Sequence, residues 1–235
     1  MAESKTNPSS RSGPLLKDQA YQSIKEKILS DEFGPGTFIS ERQIAQLLKM
    51  SKTPIKAAFE RLEHEGFISI SPQQGVVVRD LNIQEVADHF ELRTALESFV
   101  VRNIAGRLTS EQTTNLQDLL RAQQTADKHG DISESVTLDG DFHLFLCQCL
   151  GNQEIYRVMR ELKDKIRRVV LRVYSRHPER PQSSYAEHKR IVAAITKGDS
   201  EKAALLMIEH LDNGRRFLLG IRRPLKKKNT RSAGN

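Results

Sequence analysis

Long apolar runs and cysteine are what this 235-residue sequence has least of. No stretch approaches the ~18 consecutive apolar residues that a membrane span needs, so none is expected. The two cysteines, Cys147 and Cys149, stand too close together to close a useful loop. They are expected as reduced thiols, which excludes a disulfide scaffold. The polar opening MAESKTNPSSRSGP lacks the apolar stretch of a secretory signal, and a cytoplasmic location is the expectation. The last 22 residues hold 8 Lys/Arg and no acid, whereas residues 1–80 hold 11 against 10. The net charge of +7 is therefore a property of the tail and is by itself a poor argument for nucleic-acid binding. What the chain does have is 37% apolar and 29% charged residues, enough to bury one large or two small cores.

Residues 1–14 read as a flexible arm. Tyr21, Ile24, Ile28 and Leu29 lie at helical spacing and stop before Gly34-Pro35-Gly36. Ser40 with Gln43 three positions on forms a capping box that opens a second helix, with Ile44, Leu47 and Leu48 as its apolar face. Ser51 or Thr53 can cap a third helix, Pro54 suits its first turn, and Ile55, Ala58, Phe59 and Leu62 line one side. Two β-prone runs, residues 67–70 and 76–79, flank Ser71-Pro72-Gln73-Gln74-Gly75. Three short helices and a β-wing over residues 15–80 predict a winged helix-turn-helix. From Asn82 the pattern is helical only, with breaks at Gly130, Gly151-Asn152, His177–Pro181 and Gly198-Asp199. A mainly α chain follows: a winged domain, then an all-α bundle of about six helices over residues 81–220. Residues 221–235 form a basic tail.

In a helix-turn-helix the second of two crossed helices presents its N-terminal residues to base edges. Here that end is Ser51-Lys52-Thr53-Pro54-Ile55-Lys56, with Lys52 and Lys56 on one face, opposite the apolar stripe. Two lysines on a solvated helix face satisfy the same spacing. The linear order Pro-Gly-Thr, Ser-Glu-Arg-Gln-Ile-Ala-Gln-Leu-Leu, Ser-Lys-Thr-Pro-Ile-Lys-Ala-Ala-Phe-Glu-Arg-Leu-Glu-His-Glu-Gly, then a Gly-containing wing, resembles the GntR family of bacterial transcription regulators. The resemblance implies binding to double-stranded operator DNA through Arg42, Ser51, Lys52, Thr53, Lys56 and the wing tip at Gln74-Gly75. One departure is that the family usually has arginine where this chain has Lys52 and Lys56. Lysine serves a phosphate well but lacks the fork that favours guanine.

The bundle carries Asp139-Gly140-Asp141-Phe142-His143, in which Asp139 and His143 share a helix face and Asp141 points elsewhere. His188 and His210 add an imidazole from each of the last two helices. One carboxylate and three histidines suit a first-row divalent ion, although histidines in such numbers are as a rule surface or satisfied core residues. This pattern resembles the FCD ligand-binding domain of FadR-like GntR proteins over about residues 82–215. The resemblance implies a zinc-, nickel- or manganese-class ion held by Asp139, His143, His188 and His210, beside a pocket for a small organic acid. It also places Arg93 and Glu97 at that effector. An arginine can clamp a carboxylate bidentately, but Arg93 can equally pair with Glu97 at i+4.

The function expected is a ligand-responsive regulator, a repressor working as a homodimer on a palindromic operator, cytoplasmic and nucleoid-associated when bound to DNA. The rival from another class is a metal-dependent hydrolase with the winged domain as a docking module, since such a centre could activate water. No acid–base motif accompanies the histidines to support it.

Overall fold

The computed structural model describes residues 15–71 and 75–218. The expected arm, the wing-tip residue Gln74 and the basic tail lie outside the described residues. The chain divides into two compact units, residues 1–80 and 81–235.

In the first unit α1 (Leu16–Leu29), α2 (Glu41–Leu48) and α3 (Lys52–His64) are joined by β1 (Phe38–Ile39) and followed by β2 (Ile68–Ser71) and β3 (Gly75–Val78). The Ser40 box is formed as expected: Ser40 Oγ accepts the Gln43 N–H at 3.2 Å, and Gln43 Oε1 accepts the Ser40 N–H at 3.1 Å. Lys49 ends α2 with φ 53°. α1 lies against α3 over a core of Tyr21, Ile24, Ile28, Ile55, Phe59 and Leu62. At its edge the Tyr21 hydroxyl and Lys25 both donate to Glu65, at 2.7 and 2.9 Å, tying the start of the domain to the end of α3.

Two details differ from the sequence pattern. Ile44 alone of α2 is buried, and Leu47 is 52% exposed. An eight-residue helix meets its neighbour along one ridge, so the edge of its apolar stripe stays in solvent. The wing gains a third strand: β1 pairs with β3 (Phe38↔Val77, Ile39↔Val76), which pairs with β2 in the order β1-β3-β2.

The second unit holds α4 (Ile83–Ile104), α5 (Ser110–His129), α6 (Ile132–Leu150), α7 (Gln153–Arg176), α8 (Arg180–Lys197) and α9 (Ser200–Leu218). Asn82 and Glu85 cap α4 reciprocally, and Thr109 with Gln112 do the same for α5. α8 begins at Arg180, inside the expected His177–Pro181 break, because Pro181 falls in its first turn, where a missing N–H breaks no helical bond. Phe90, Val100, Leu116, Phe142, Leu146, Ile191 and Met207 build the core from five helices, with α4 packed along α9 and α6 along α7. The α4–α5 and α8–α9 connections meet glycine to glycine: the Gly106 N–H donates to Ile195 O at 2.9 Å, and a Cβ on Gly106 would lie 3.2 Å from Gly198 Cα. Cys147 is buried in this core, where burial pushes its thiol far above the ordinary range and makes it inert.

Candidate functional site

Where the core of the second unit should be apolar, it is polar. Asp139 and His143, one turn apart on α6, meet His188 from α8 and His210 from α9, and their donor atoms all lie within 4.8 Å of one another. Nε2 of His210 is 3.1 Å from Nε2 of His143 and 3.3 Å from Nε2 of His188. Asp139 lies 3.7 Å from His188 Nε2 and 4.0 Å from His143 Nε2. Bonds of about 2.0–2.2 Å to one ion put its donors roughly 3–4.4 Å apart, so these residues fit a small divalent cation. Asp141 turns away and pairs with Lys163.

Each imidazole is held from behind. His143 Nδ1 donates to Glu97 on α4, His210 Nδ1 donates to Glu187 on α8 at 2.6 Å, and His188 Nδ1 donates to Gln123 Oε1 on α5 at 3.0 Å. The two carboxylates can only accept. Gln123 spends its amide N–H on Leu138 O at 2.9 Å, so its oxygen faces the ring. All three rings therefore carry the proton on Nδ1 and turn the Nε2 lone pair inward, the orientation that outer partners impose on metal-binding histidines. Phe142 stacks on His188 with centroids 3.9 Å apart and fixes its tilt.

Electrostatics keep these states. Burial alone would raise the Glu97 carboxyl, but Arg93 and His143 outweigh it and hold it at about 2. Burial would raise Asp139 too, but the charge of Arg93, and of the imidazoles when they are protonated, keeps it ionised, and its Oδ1 accepts from Tyr174 and Ser184, each at 2.9 Å. Burial, then the neighbouring imidazole His210, push His188 well below its ordinary value, and burial lowers His210. Neutral rings are the ones that can ligate.

Two cavities of about 30 Å³ each touch Asp139. Arg93, Lys163 and Arg167 stand around one; Arg93 and Arg180 stand around the other. Arg93 Nε donates to Glu97 at 2.6 Å, and the side chain lines both cavities. Glu97 is 1% exposed, lines neither cavity, and is taken up by Arg93 and His143. Its place is behind the cluster, not against an effector. Sequence reasoning passed over Gln123, Glu187 and Arg180. Arg180 is 3% exposed, pairs with Glu187 at 3.0 Å, and leaves Nη1 without a partner beside the cavity. No local spacing announces these three, because their partners lie on other helices or turns.

In the first unit Arg42, Ser51, Lys52, Thr53 and Lys56 are all exposed on the N-terminal turns of α2 and α3. Gly75 opens β3 with φ 83° at the edge of the wing. Ser51 occupies the capping position of α3 without a side-chain bond to it, leaving its hydroxyl unspent.

Residues 16–78 match the bacterial regulatory proteins of the gntR family, and residues 88–213 match the FCD domain. The Nta operon transcriptional regulator of Aminobacter aminovorans is 31% identical over 187 residues, covering 78% of this chain and 85% of that protein. The HTH-type transcriptional repressor RspR of Escherichia coli (strain K12) is 28% identical over 196 residues, with 83% and 86% covered. Among solved structures, E. coli McbR/YncC superposes with a TM-score of 0.77 at 20% identity, over 88% of this chain and 99% of that one. That likeness extends the shared fold to both units. The Aminobacter and RspR relatives are named as transcription regulators, not enzymes. This chain belongs to the GntR family of bacterial transcription regulators and joins that family's DNA-binding domain to an FCD domain.

Proposed function

We propose that this regulator is a repressor released by a small carboxylate, which binds at a divalent ion held by Asp139, His143, His188 and His210. The observation that carries this reading is the convergence of four donors beside arginine-lined cavities. An ion of the zinc, nickel or manganese class supplies a Lewis-acidic point that a carboxylate oxygen can join. Arg93 and Arg180 neutralise and orient that carboxylate, Glu97 holds both Arg93 and His143, and Glu187 does the same for Arg180 and His210. A cavity of about 30 Å³ holds roughly two waters, so an organic acid must push its walls apart. Val170 of α7 faces both cavities, which makes α7 the wall to move.

On the DNA side, Arg42, Ser51, Lys52, Thr53, Lys56, Gln74 and Gly75 form the contact set. One winged unit reads a half-site, and a symmetric homodimer on a palindromic operator doubles it. The regulator then works in the cytoplasm, on the nucleoid when bound. Repression is the direction named for RspR.

The test is a thermal-shift screen of carboxylic acids on metal-loaded protein, because a ligand of the native state raises its apparent stability. At least one acid is expected to raise the melting temperature of wild type, and His188→Ala is expected to lose metal and acid response together while still binding operator DNA. Acid responses that survive in His188→Ala would refute the metal's part in the site.

A further inference from the structure

A third opening reaches the same cluster from another face. Between the end of α5, the start of α6 and the start of α8 lies a surface cavity of about 360 Å³. Behind it a neck of about 10 Å³, roughly the room one water needs, extends to Asp139 and His188. Asp127, Ser135, Pro181 and Tyr185 line both, so the neck adjoins the outer cavity.

We propose that the divalent cation reaches its ligands by this route rather than through the arginine-lined cavities, which suit an anion; the neck shares with the Arg180 cavity only Asp139, Tyr174 and Ser184 among their lining residues. The inference rests on reading Asp139 and the three histidines as a cation site. The charges are segregated. Each of the other two cavities at Asp139 is flanked by Arg93 with Lys163 and Arg167, or by Arg93 with Arg180, and a cation approaching there meets like charge. The neck has no Lys or Arg among its lining residues, has carboxylates at both ends (Asp127 and Asp139), and has a single lysine, Lys128, at its outer cavity. Low-dielectric walls of one sign focus a field along such a passage and raise the arrival rate of the opposite charge.

The side chains on the way suit successive loss of hydration water. Asp127 accepts from Ser135 Oγ at 2.7 Å and has its second oxygen for the passing ion. Tyr174 and Ser184, which line both the neck and the Arg180 cavity, hold Asp139 Oδ1 by their hydroxyls. Burial and the charge of Asp139 both raise the Asp127 carboxyl, as two carboxylates in one field do when no cation sits between them. The neck has room for about one water and no cationic side chain to attract an organic acid, so the acid is not expected to compete with the ion there.

The experiment mixes metal-free full-length protein with Co²⁺ in stopped flow and follows the visible absorption of the coordinated ion. Gln182→Lys adds a cation to the outer cavity on an exposed side chain, and Asp127→Asn removes the charge at the neck. Each is expected to slow loading by about three- to tenfold at low ionic strength, an effect that salt should shrink. Gln182→Lys should leave the equilibrium affinity within about twofold, since a local field at the mouth acts on arrival and departure alike. Arg167→Gln, on the opposite side, should load at the wild-type rate. Wild-type rates in both Gln182→Lys and Asp127→Asn, or faster loading in Arg167→Gln, would overturn the route. If wild type gave no cobalt signal at all, the cation site itself would fail, and the route with it.

Discussion

Replacing Gln123 by leucine removes the one neutral group that holds an imidazole of the cluster while keeping nearly the same volume. Gln123 Oε1 receives the His188 Nδ1–H at 3.0 Å, and its Nε2 is anchored on Leu138 O at 2.9 Å, so the amide cannot turn to offer a donor. With leucine there, a buried N–H is left unsatisfied at a cost of about 1–3 kcal/mol, and the ring gains from moving its proton to Nε2, the atom that must ligate. Loss of an outer partner of this kind lowers metal affinity by about 10- to 100-fold, or about 1.4–2.7 kcal/mol. At a fixed metal concentration well above the dissociation constant, that amount comes off the stabilisation the ion confers. For a domain of this size it shrinks the metal-induced rise in melting temperature by roughly 3–10 °C. Competition against a chromophoric chelator gives the affinity, and paired thermal melts with and without ion give the stability. An affinity within about twofold of wild type would refute the tautomer assignment.

Lys52→Ala should weaken operator binding by ~1–3 kcal/mol if the side chain reads a base edge; if it meets phosphate, binding falls on every sequence and the salt slope drops by ~1, as gel retardation across salt concentrations will distinguish. Unchanged affinity in Lys52→Ala with Lys56→Ala would remove both from the interface. His188 and His210 have folded pKa values below the ordinary ~6.5, so below that pH the unfolded chain takes up protons that the fold refuses. Stability of the metal-free protein should therefore be complete above ~6.5 and fall on acidification by up to about 1.4 kcal/mol per pH unit per histidine; chemical denaturation that is flat between about pH 7.5 and 5.5 would contradict the sign. Gly106→Ala forces φ 71° on a residue with a Cβ that would sit 3.2 Å from Gly198 backbone. It should cost at least about 1–2 kcal/mol, read as a lower denaturation midpoint, whereas Gly130→Ala meets nothing within 4 Å and should cost only the backbone strain.

The sequence made the helices legible where period and punctuation agreed. α9 begins at Ser200, directly after the expected Gly198-Asp199 break, and the Ser40 box and Asn82 mark true helix starts. β1 escaped because two residues, Phe38 and Ile39, cannot display a period, and only pairing with β3 makes them a strand. The two prolines before Ser184 read as a loop because a helix interior rejects proline, yet a first turn tolerates it. At the site, the i, i+4 pair on α6 showed one edge of the cluster. Glu187 and Gln123 did not show, since each reaches its histidine only when helices 23 and 65 residues apart along the chain come together. Glu97 did stand out, but its helical neighbour Arg93 drew it towards the effector in reading, when packing puts it behind His143.

In the heart of the second unit His210 Nε2 stands 3.1 Å from His143 Nε2 and 3.3 Å from His188 Nε2, a crowding of lone pairs that the proposed cation would relieve. For a bacterial cell this is a matter of protein lifetime as much as of signalling. If the proposed ion binds, molecules that lack it would open more often, and a difference of ~1–2 kcal/mol in stability changes steady-state abundance several-fold through the proteases that clear open chains. On the proposed reading, scarcity of the ion would lower the amount of the regulator itself, before any proposed effector arrives.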